Sequence, residues 1–447
     1  MIAKKISTKF EKYFCANEIT EIARETKFEK RKPRKINAVE FFKSIVLTNI
    51  SIKDISLNNL AEIFEIENNI SISKQSLDDK FDNESVEFVK QLLKILLEKT
   101  ILEKNQTACN LLDQFESVRI KDSTSFKLSV NMAEKYRASS KNTEQSILKI
   151  QYEYDLKTGK IYDLSFHSFI ESDRTDAVAM CENINKNDLL IRDLGYVSLS
   201  MMETIIQKEA CFLNRFDYSS NAYETATGKE KIDLAKIQKY LKKYKLQQIE
   251  KNVFIGKKQR IPVRMIIDLL PDYEIENRLR KLKRKESRCR TSYSKEYRSI
   301  LQLNVYVTNI LEEKLKIEHV RQIYRLRWQI ELIFKAWKSI GKIEKVKKMK
   351  EQRIETMLYA KLIMLVLCND IFWIFEQNNQ KKENIDLSIY KIYKLLIYNI
   401  KDIKNAIKQG IKKLREIFEI LTRIVYKKCK LEKKKNTISS KEIMQLK

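Results

Sequence analysis

Three carboxylates stand in settings that could serve metal-assisted chemistry on phosphate. Asp122 lies in IKDSTSF and Asp193 in LIRDLGY, each after a short run with strand periodicity. Glu331 lies in YRLRWQIELIFKAWKS, Tyr324 to Ser339, which has helical spacing. A phosphodiester attacked in line gains negative charge in its transition state. Two divalent ions about 3.5–4 Å apart can activate the nucleophile and stabilise the leaving oxygen. Two strand-end carboxylates and one from a helix packed on the sheet suffice to hold them. Neighbouring Arg and Lys would grip phosphates, and Tyr or Trp would stack on a displaced base.

Each residue also has a plainer reading. An Asp beside Ser, Thr or Gly after a strand commonly stabilises a turn. On a helix at about 100° per residue, Tyr324, Arg327, Glu331 and Lys338 fall within about 60° of one another. Trp328 and Lys335 border that face, and Leu326, Ile330, Ile333 and Trp337 lie opposite as a core stripe. A solvated face with intrahelical ion pairs, each worth about 0.2–0.5 kcal/mol, fits the same spacing. Spacing alone leaves both readings open.

Composition narrows the chemistry. The seven cysteines, Cys15, Cys109, Cys181, Cys211, Cys289, Cys368 and Cys429, include no C-x-x-C pair. They signal neither a zinc site nor a disulfide framework, and fit a reducing cytoplasm. With His167 and His319 the only histidines, histidine clusters and Ser-His-Asp triads are disfavoured. Metal chemistry must use carboxylates, which suit magnesium or manganese. The net charge of +28 points to a polyanionic partner, although an AT-rich coding sequence also inflates lysine. The amino terminus MIAKKISTKFEKYF lacks a signal-peptide core. MLYAKLIMLVLCNDIFWIF, from Met357, has about membrane-spanning length. Lys361, Asn369 and Asp370 interrupt it, so we expect a buried helix and no membrane partner.

Along the chain, AVEFFKSIVLTNI, SLNNLAEIFEI and SVEFVKQLLKILLEKT read as helices, and NISISKQSLDDKF as a capped helix-turn-helix element. The basic KFEKRKPRK ahead of them suits either a phosphate backbone or a solvated linker. From Ser117 we expect a strand (SVRIKDSTSF) ending in a Ser/Thr-rich turn, then a hairpin (LKIQYEYDLKTGKIYDLSFHSF) turning at Gly159. A helix, the strand DLLIRDLGY, a helix and the strand CFLNRFD follow. Beyond residue 218 come a lysine-rich stretch, the strand RIPVRMIIDLL, the charge run ENRLRKLKRKESRCR and the strand QLNVYVTN. Together these predict a mixed α/β layer fold with a helical, basic tail.

Tyr324-x2-Arg327-x3-Glu331-x6-Lys338 resembles the YREK signature of the fourth insertion-sequence family of bacterial DDE transposases. DST at Asp122 and DLGY from Asp193 are similar to its first and second acidic motifs. VTN before the helix and RWQIE within it are also family-like, and the resemblance runs from about residue 115 to 360. It implies an α/β ribonuclease H-like catalytic core, a mixed sheet flanked by helices, with Asp122, Asp193 and Glu331 as catalytic and metal-binding residues. Two Mg2+ ions per site, with Mn2+ as substitute, would follow. The separation of 138 positions from Asp193 to Glu331 would hold the family's β-rich insertion. The implied domains are 1–107, a helical DNA-binding domain; 108–217, the first part of the core; 218–309, the insertion; 310–380, the second part; and 381–447, a helical basic region. By the same carry-over Tyr324, Arg327, Lys338, Trp328 and Arg215 contact DNA, Trp328 aiding base displacement, and Tyr223 is a candidate base-holding aromatic. The implied activity is cut-and-paste transposition in the bacterial cytoplasm, at the nucleoid. Its partners are double-stranded DNA, as terminal repeats and target, and a second copy in a synaptic homodimer. A relative that binds ends without moving them, and a structure-selective nuclease, are the alternatives.

Overall fold

The computed structural model describes residues 2–31, 33, 35–49, 56–99, 111–139, 144–382, 385–432, 440–444 and 446. The expected boundary at residues 107–108 and part of the basic KFEKRKPRK run lie outside them. Among the described residues nine strands form one mixed sheet flanked by helices: β1 Val118–Leu128, β2 Ser146–Asp155, β3 Ile161–Ser168, β4 Leu189–Arg192, β5 Cys211–Arg215, β6 Ala222–Tyr223, β7 Gln248–Ile255, β8 Ile261–Leu269 and β9 Leu303–Thr308. Their order is β3-β2-β1-β4-β5-β9-β8-β7-β6. The chain divides into two compact units, Met1–Thr107, Ser123–Ile170 and Gln329–Ser439 forming one, and Ala108–Asp122, Glu171–Trp328 and Ser440–Lys447 the other.

In the first unit β2 and β3 form the expected antiparallel hairpin. Gly159 turns it with φ +75°, and a Cβ there would collide with the Trp373 ring, so both backbone and space require glycine. The apolar run expected as a buried helix belongs to the helix Glu351–Lys382. One stretch of it, Glu351–Asn379, is long and apolar enough to cross a membrane, yet 89% of its most apolar window is buried by protein. Of the interrupting groups, the buried Asn369 amide has no hydrogen-bond partner among the described residues, whereas the two charged ones are paired: Lys361 Nζ donates to Lys342 O at 3.1 Å, and Asp370 forms an ion pair with Lys9 at 3.0 Å and accepts from Tyr13 at 2.9 Å. Such pairing is what lets charged groups stay inside a helical core. In the amino-terminal helices, Ser56 caps Leu57–Asn68 and Ser73 caps Lys74–Asp78, as their types and positions predict.

In the second unit, β1 pairs in parallel with β4 and β4 with β5. β5, β9, β8, β7 and β6 continue antiparallel. One face carries the apolar core, including Leu190, Phe212, Val305, Val307, Met265 and Ile267, under Met201, Met202 and Ile205 of the helix Leu199–Gln207. Buried cations on β1 belong to this face. Lys121 meets Asp176 at 2.6 Å, and Arg119 meets Asp188 at 3.3 Å and Asn183 O at 2.8 Å.

Three expectations need correction. The Ser/Thr-rich segment after Asp122 is not a turn but the second half of β1, which outruns its parallel partner β4. The stretch 218–309 is not simply β-rich. It holds β6 to β9 and the helices Leu234–Lys243, Asp272–Cys289 and Lys295–Ile300, and β9 pairs with β5 inside the main sheet. The signature is not one continuous helix. Ile317–Arg325 and Trp328–Ser339 are separate, joined by a tight turn in which Leu326 N and Arg327 N bond three residues back, to Ile323 O at 3.0 Å and Tyr324 O at 3.1 Å. The turn buries Leu326 completely and sends Arg327 toward β1.

Candidate active site

Parallel register sets the two aspartates side by side. The last registered pair of β1 and β4 is Lys121 with Arg192, so Asp122, the next residue of β1, and Asp193, the first residue past β4, come side by side. Neighbouring strands lie about 4.8 Å apart, and the carboxyl ends of parallel strands are where such sheets bind ligands. Alternation turns both residues to the face opposite the apolar core. Asp193 also performs the plainer task, its Oδ1 accepting from Leu194 N at 2.9 Å at the head of a short 3₁₀ turn.

The helix Ile317–Arg325 and the turn after it bring the next two signature residues to this pair. Arg327 Nη1 donates to Asp122 Oδ2 at 3.1 Å. The Tyr324 hydroxyl is 3.5 Å from Asp193 Oδ1, at the outer limit of a hydrogen bond. Burial pushes the Tyr324 phenol far up, and the charge of Asp193 adds to the effect while Arg327 and Arg215 oppose it, so this hydroxyl keeps its proton. Its ring packs on Tyr306, centroids 5.2 Å apart. Arg215, at the end of β5, puts its guanidinium 5.8 Å from the Tyr306 ring centroid. Trp328 opens the next helix and is 55% exposed.

Glu331 and Lys338 belong to the first unit, on the helix Trp328–Ser339. The core stripe read from the sequence is buried, with Leu326, Ile330, Ile333 and Trp337 each at most 1% exposed. Trp337 lies against Tyr152 of β2, centroids 5.0 Å apart. Lys338 Nζ donates to Ser125 O on β1 at 3.1 Å, so it serves as a strut between helix and strand. Lys335 stays exposed, as its plainer reading requires, with its amine 5.8 Å from the Tyr390 ring. Tyr223, the candidate base-holder, is buried with Arg260 stacked 3.3 Å over its ring, so one ring face is already covered.

Sequence reading overlooked Asp268, Arg278, Tyr306 and Arg321. Arg321 lies one helical turn before Tyr324, the one signal available. Asp268 is buried on β8, and its carboxyl is pushed up to about 6 because burial outweighs the pull of Arg321 and Arg215. Tyr306 is pushed up to about 12, by burial first and then by Asp268. Among the described residues no group of three or more His, Cys, Asp or Glu side chains is placed to hold a metal ion; the donor set within the second unit is the aspartate pair. Its all-oxygen character suits a hard divalent cation.

This geometry, two aspartates side by side on adjacent parallel strands, one midway along β1 and one just past β4, attended by Tyr and Arg from a helix and turn, defines a candidate phosphoryl-transfer site. Residues 113–367 match the family described as transposase DDE domain, and the chain belongs to that family. Over 429 residues it is 29% identical to the transposase of insertion sequence element IS231F from Bacillus thuringiensis subsp. israelensis, covering 93% of this chain and 89% of that one. It is 30% identical over 389 residues to the transposase of IS1151 from Clostridium perfringens, covering 82% and 80%. Among solved structures, a piggyBac transposase synaptic complex with hairpin DNA aligns with TM-score 0.47 and 11% identity, over 97% of this chain and 87% of that one. The chain is a DNA transposase of the bacterial insertion-sequence type.

Proposed function

We propose that this transposase cuts its element out at the ends and joins the freed 3′-hydroxyls to target DNA. The observation that carries this reading is the aspartate pair set side by side by parallel register, Asp122 midway along β1 and Asp193 just past the carboxyl end of β4. The strand order β3-β2-β1-β4-β5 supports a ribonuclease H-like core, extended by β9 to β6. Glu331 enters as third carboxylate, on a helix tied to β1 through Lys338. Asp122, Asp193 and Glu331 would hold divalent ions, magnesium by donor chemistry. Bound there, such ions would lower the pKa of an attacking water and stabilise the leaving oxygen.

The chain's own residues orient the reaction. Arg327 compensates the charge of Asp122 and presents a planar fork suited to a phosphate. Tyr324 holds a proton toward Asp193, and Trp328 offers an exposed ring to an unstacked base. The amino-terminal helices, with Arg24, Lys27, Lys30 and Arg31 around one cleft, are the proposed DNA-binding domain, 108–217 and 310–380 the core, 218–309 the insertion and 381–447 a basic helical region. The partners are element ends, target duplex and a second copy of the chain in the bacterial cytoplasm.

Labelled element ends, a plasmid target and magnesium test this reading. Wild-type protein is expected to cleave and join. Asp122→Ala, Asp193→Ala or Glu331→Ala is expected to lose roughly a thousandfold or more in cleavage, several kcal/mol of barrier, while still binding ends. Normal cleavage by any of the three removes that residue from the site.

A further inference from the structure

The charge run ENRLRKLKRKESRCR has no part in the reading above. All of it but the last residue, Arg290, lies within the helix Asp272–Cys289, and one of its arginines turns inward. Arg278 Nη1 donates to Leu301 O at 3.2 Å and Leu303 O at 3.1 Å, and Nη2 donates to Asn304 Oδ1 at 2.7 Å. All three acceptors are neutral. After burial, the largest influence lowering the Arg278 pKa is the charge of Arg215. Arg215 has a buried Nε without a hydrogen-bond partner, and its guanidinium neighbours the Tyr218 hydroxyl.

Two half-buried guanidiniums repel each other, and among the described residues no carboxylate is hydrogen-bonded to either one, although the charge of Asp268 acts on Arg215 and that of Glu274 on Arg278. Glu274 is engaged by Arg321 at 3.0 Å, and Asp268 keeps a buried Oδ1 without a partner. An anion with several acceptor oxygens is the group that would offset both charges at once and bond the open Arg215 donor. The sheet puts this place beside the aspartates. By register Asp193 is followed by Arg215 on β5, and Arg215 pairs with Tyr306 on β9. Asn304, which holds Arg278, lies two residues from Tyr306 on the same face. At about 5 Å per strand, Arg215 is one strand and Asn304 two strands from Asp193.

We infer that Arg215, Arg278 and the Tyr218 hydroxyl form a subsite for a backbone phosphate of the DNA strand, next to the phosphate that is cut. This rests on the transposase reading. The scaffold bears the repulsion of its arginines, and bound DNA relieves it.

The test uses full-length protein and end duplexes in which single linkages are made neutral as methylphosphonates. With wild type, one or two linkages beside the cleavage position should weaken binding by roughly tenfold, the scale of a charge-assisted hydrogen bond. In Arg278→Gln those same linkages should have no further effect, and the slope of log K against log salt should fall by about one. Arg280→Gln, an exposed neighbour on the same helix, should behave as wild type. Equal sensitivity of wild type and Arg278→Gln at every linkage, or an unchanged salt slope, overturns the subsite. Should Arg278→Gln lower the melting temperature, Arg215→Gln takes its place and the same outcomes decide. Asp122→Ala run alongside keeps the two readings apart. If it still cleaves, the catalytic assignment fails, while the linkage result stands on binding alone.

Discussion

Arg327 reaches Asp122 from the turn that divides the signature, Nη1 to Oδ2 at 3.1 Å, with the two side chains 14% and 22% exposed. The pair joins β1 to the turn that precedes the helix Trp328–Ser339. Lysine in place of Arg327 keeps the charge and loses the planar fork. Arg327→Lys is therefore expected to fold normally and to cleave roughly tenfold to a hundredfold more slowly. Single-turnover cleavage beside thermal melting separates these effects, and wild-type rates in the variant would show that charge alone suffices.

Tyr324 acts through its ring and its proton in different ways. The hydroxyl lies at the limit of bonding to Asp193, whereas the buried ring packs on Tyr306. Tyr324→Phe should change stability by under about 1 kcal/mol, and Tyr324→Ala should cost roughly 3–5 kcal/mol as a core truncation. Because the phenol is pushed up, it stays neutral through pH 10, so the pH–rate profiles of wild type and Tyr324→Phe should share one shape. An alkaline limb present only in wild type would contradict that.

Trp328 is exposed although its neighbours Leu326 and Ile330 are fully buried. An exposed aromatic that packs on little contributes little to folding, so Trp328→Ala should shift stability by no more than about 0.5 kcal/mol. If the ring receives a displaced base, the same change should weaken binding of ends bearing an unpaired base by about 1–3 kcal/mol. Fluorescence of a base analogue at that position reports the stacking. Equal signals for wild type and variant would leave Trp328 without that role.

Elements with one face in a core could be read from the sequence, and those organised by buried charge could not. The β2–β3 hairpin and its glycine fold as read, and the stripe Leu326, Ile330, Ile333 and Trp337 is buried as its periodicity predicts, although Leu326 lies in the turn before the helix. β7 escaped because most of QIEKNVFI is only half-buried and shows no apolar alternation. The helix Asp272–Cys289 hid within a charge run because only Ile275 and Leu282 of it are buried. Arg119 and Lys121 look like the wet side of a strand, but Asp188 and Asp176 pair with them inside. At the site, residue types marked Asp122 and Asp193, and only the register shows them adjacent. Nothing local marks Asp268 or Arg278, since their meaning depends on strands and helices brought together across the sheet.

Asp268 gives a prediction in which sign matters. Its carboxyl is raised from 3.8 to about 6, so the folded state favours the protonated acid. The associated stability is fully present below about pH 4 and is lost as pH rises through about 6. A shift of about two units corresponds to roughly 3 kcal/mol. Above pH 7 the folded protein bears that cost, because burial outweighs the attraction of Arg321 and Arg215. Asparagine keeps the shape and cannot ionise. Asp268→Asn should therefore be more stable than wild type at pH 8, by up to roughly 2–3 kcal/mol, and close to it near pH 4. Denaturant melts across that range check both ends. A variant less stable than wild type at pH 8 would mean that ionised Asp268 holds the arginines together, and that its attraction to them exceeds the cost of burying it.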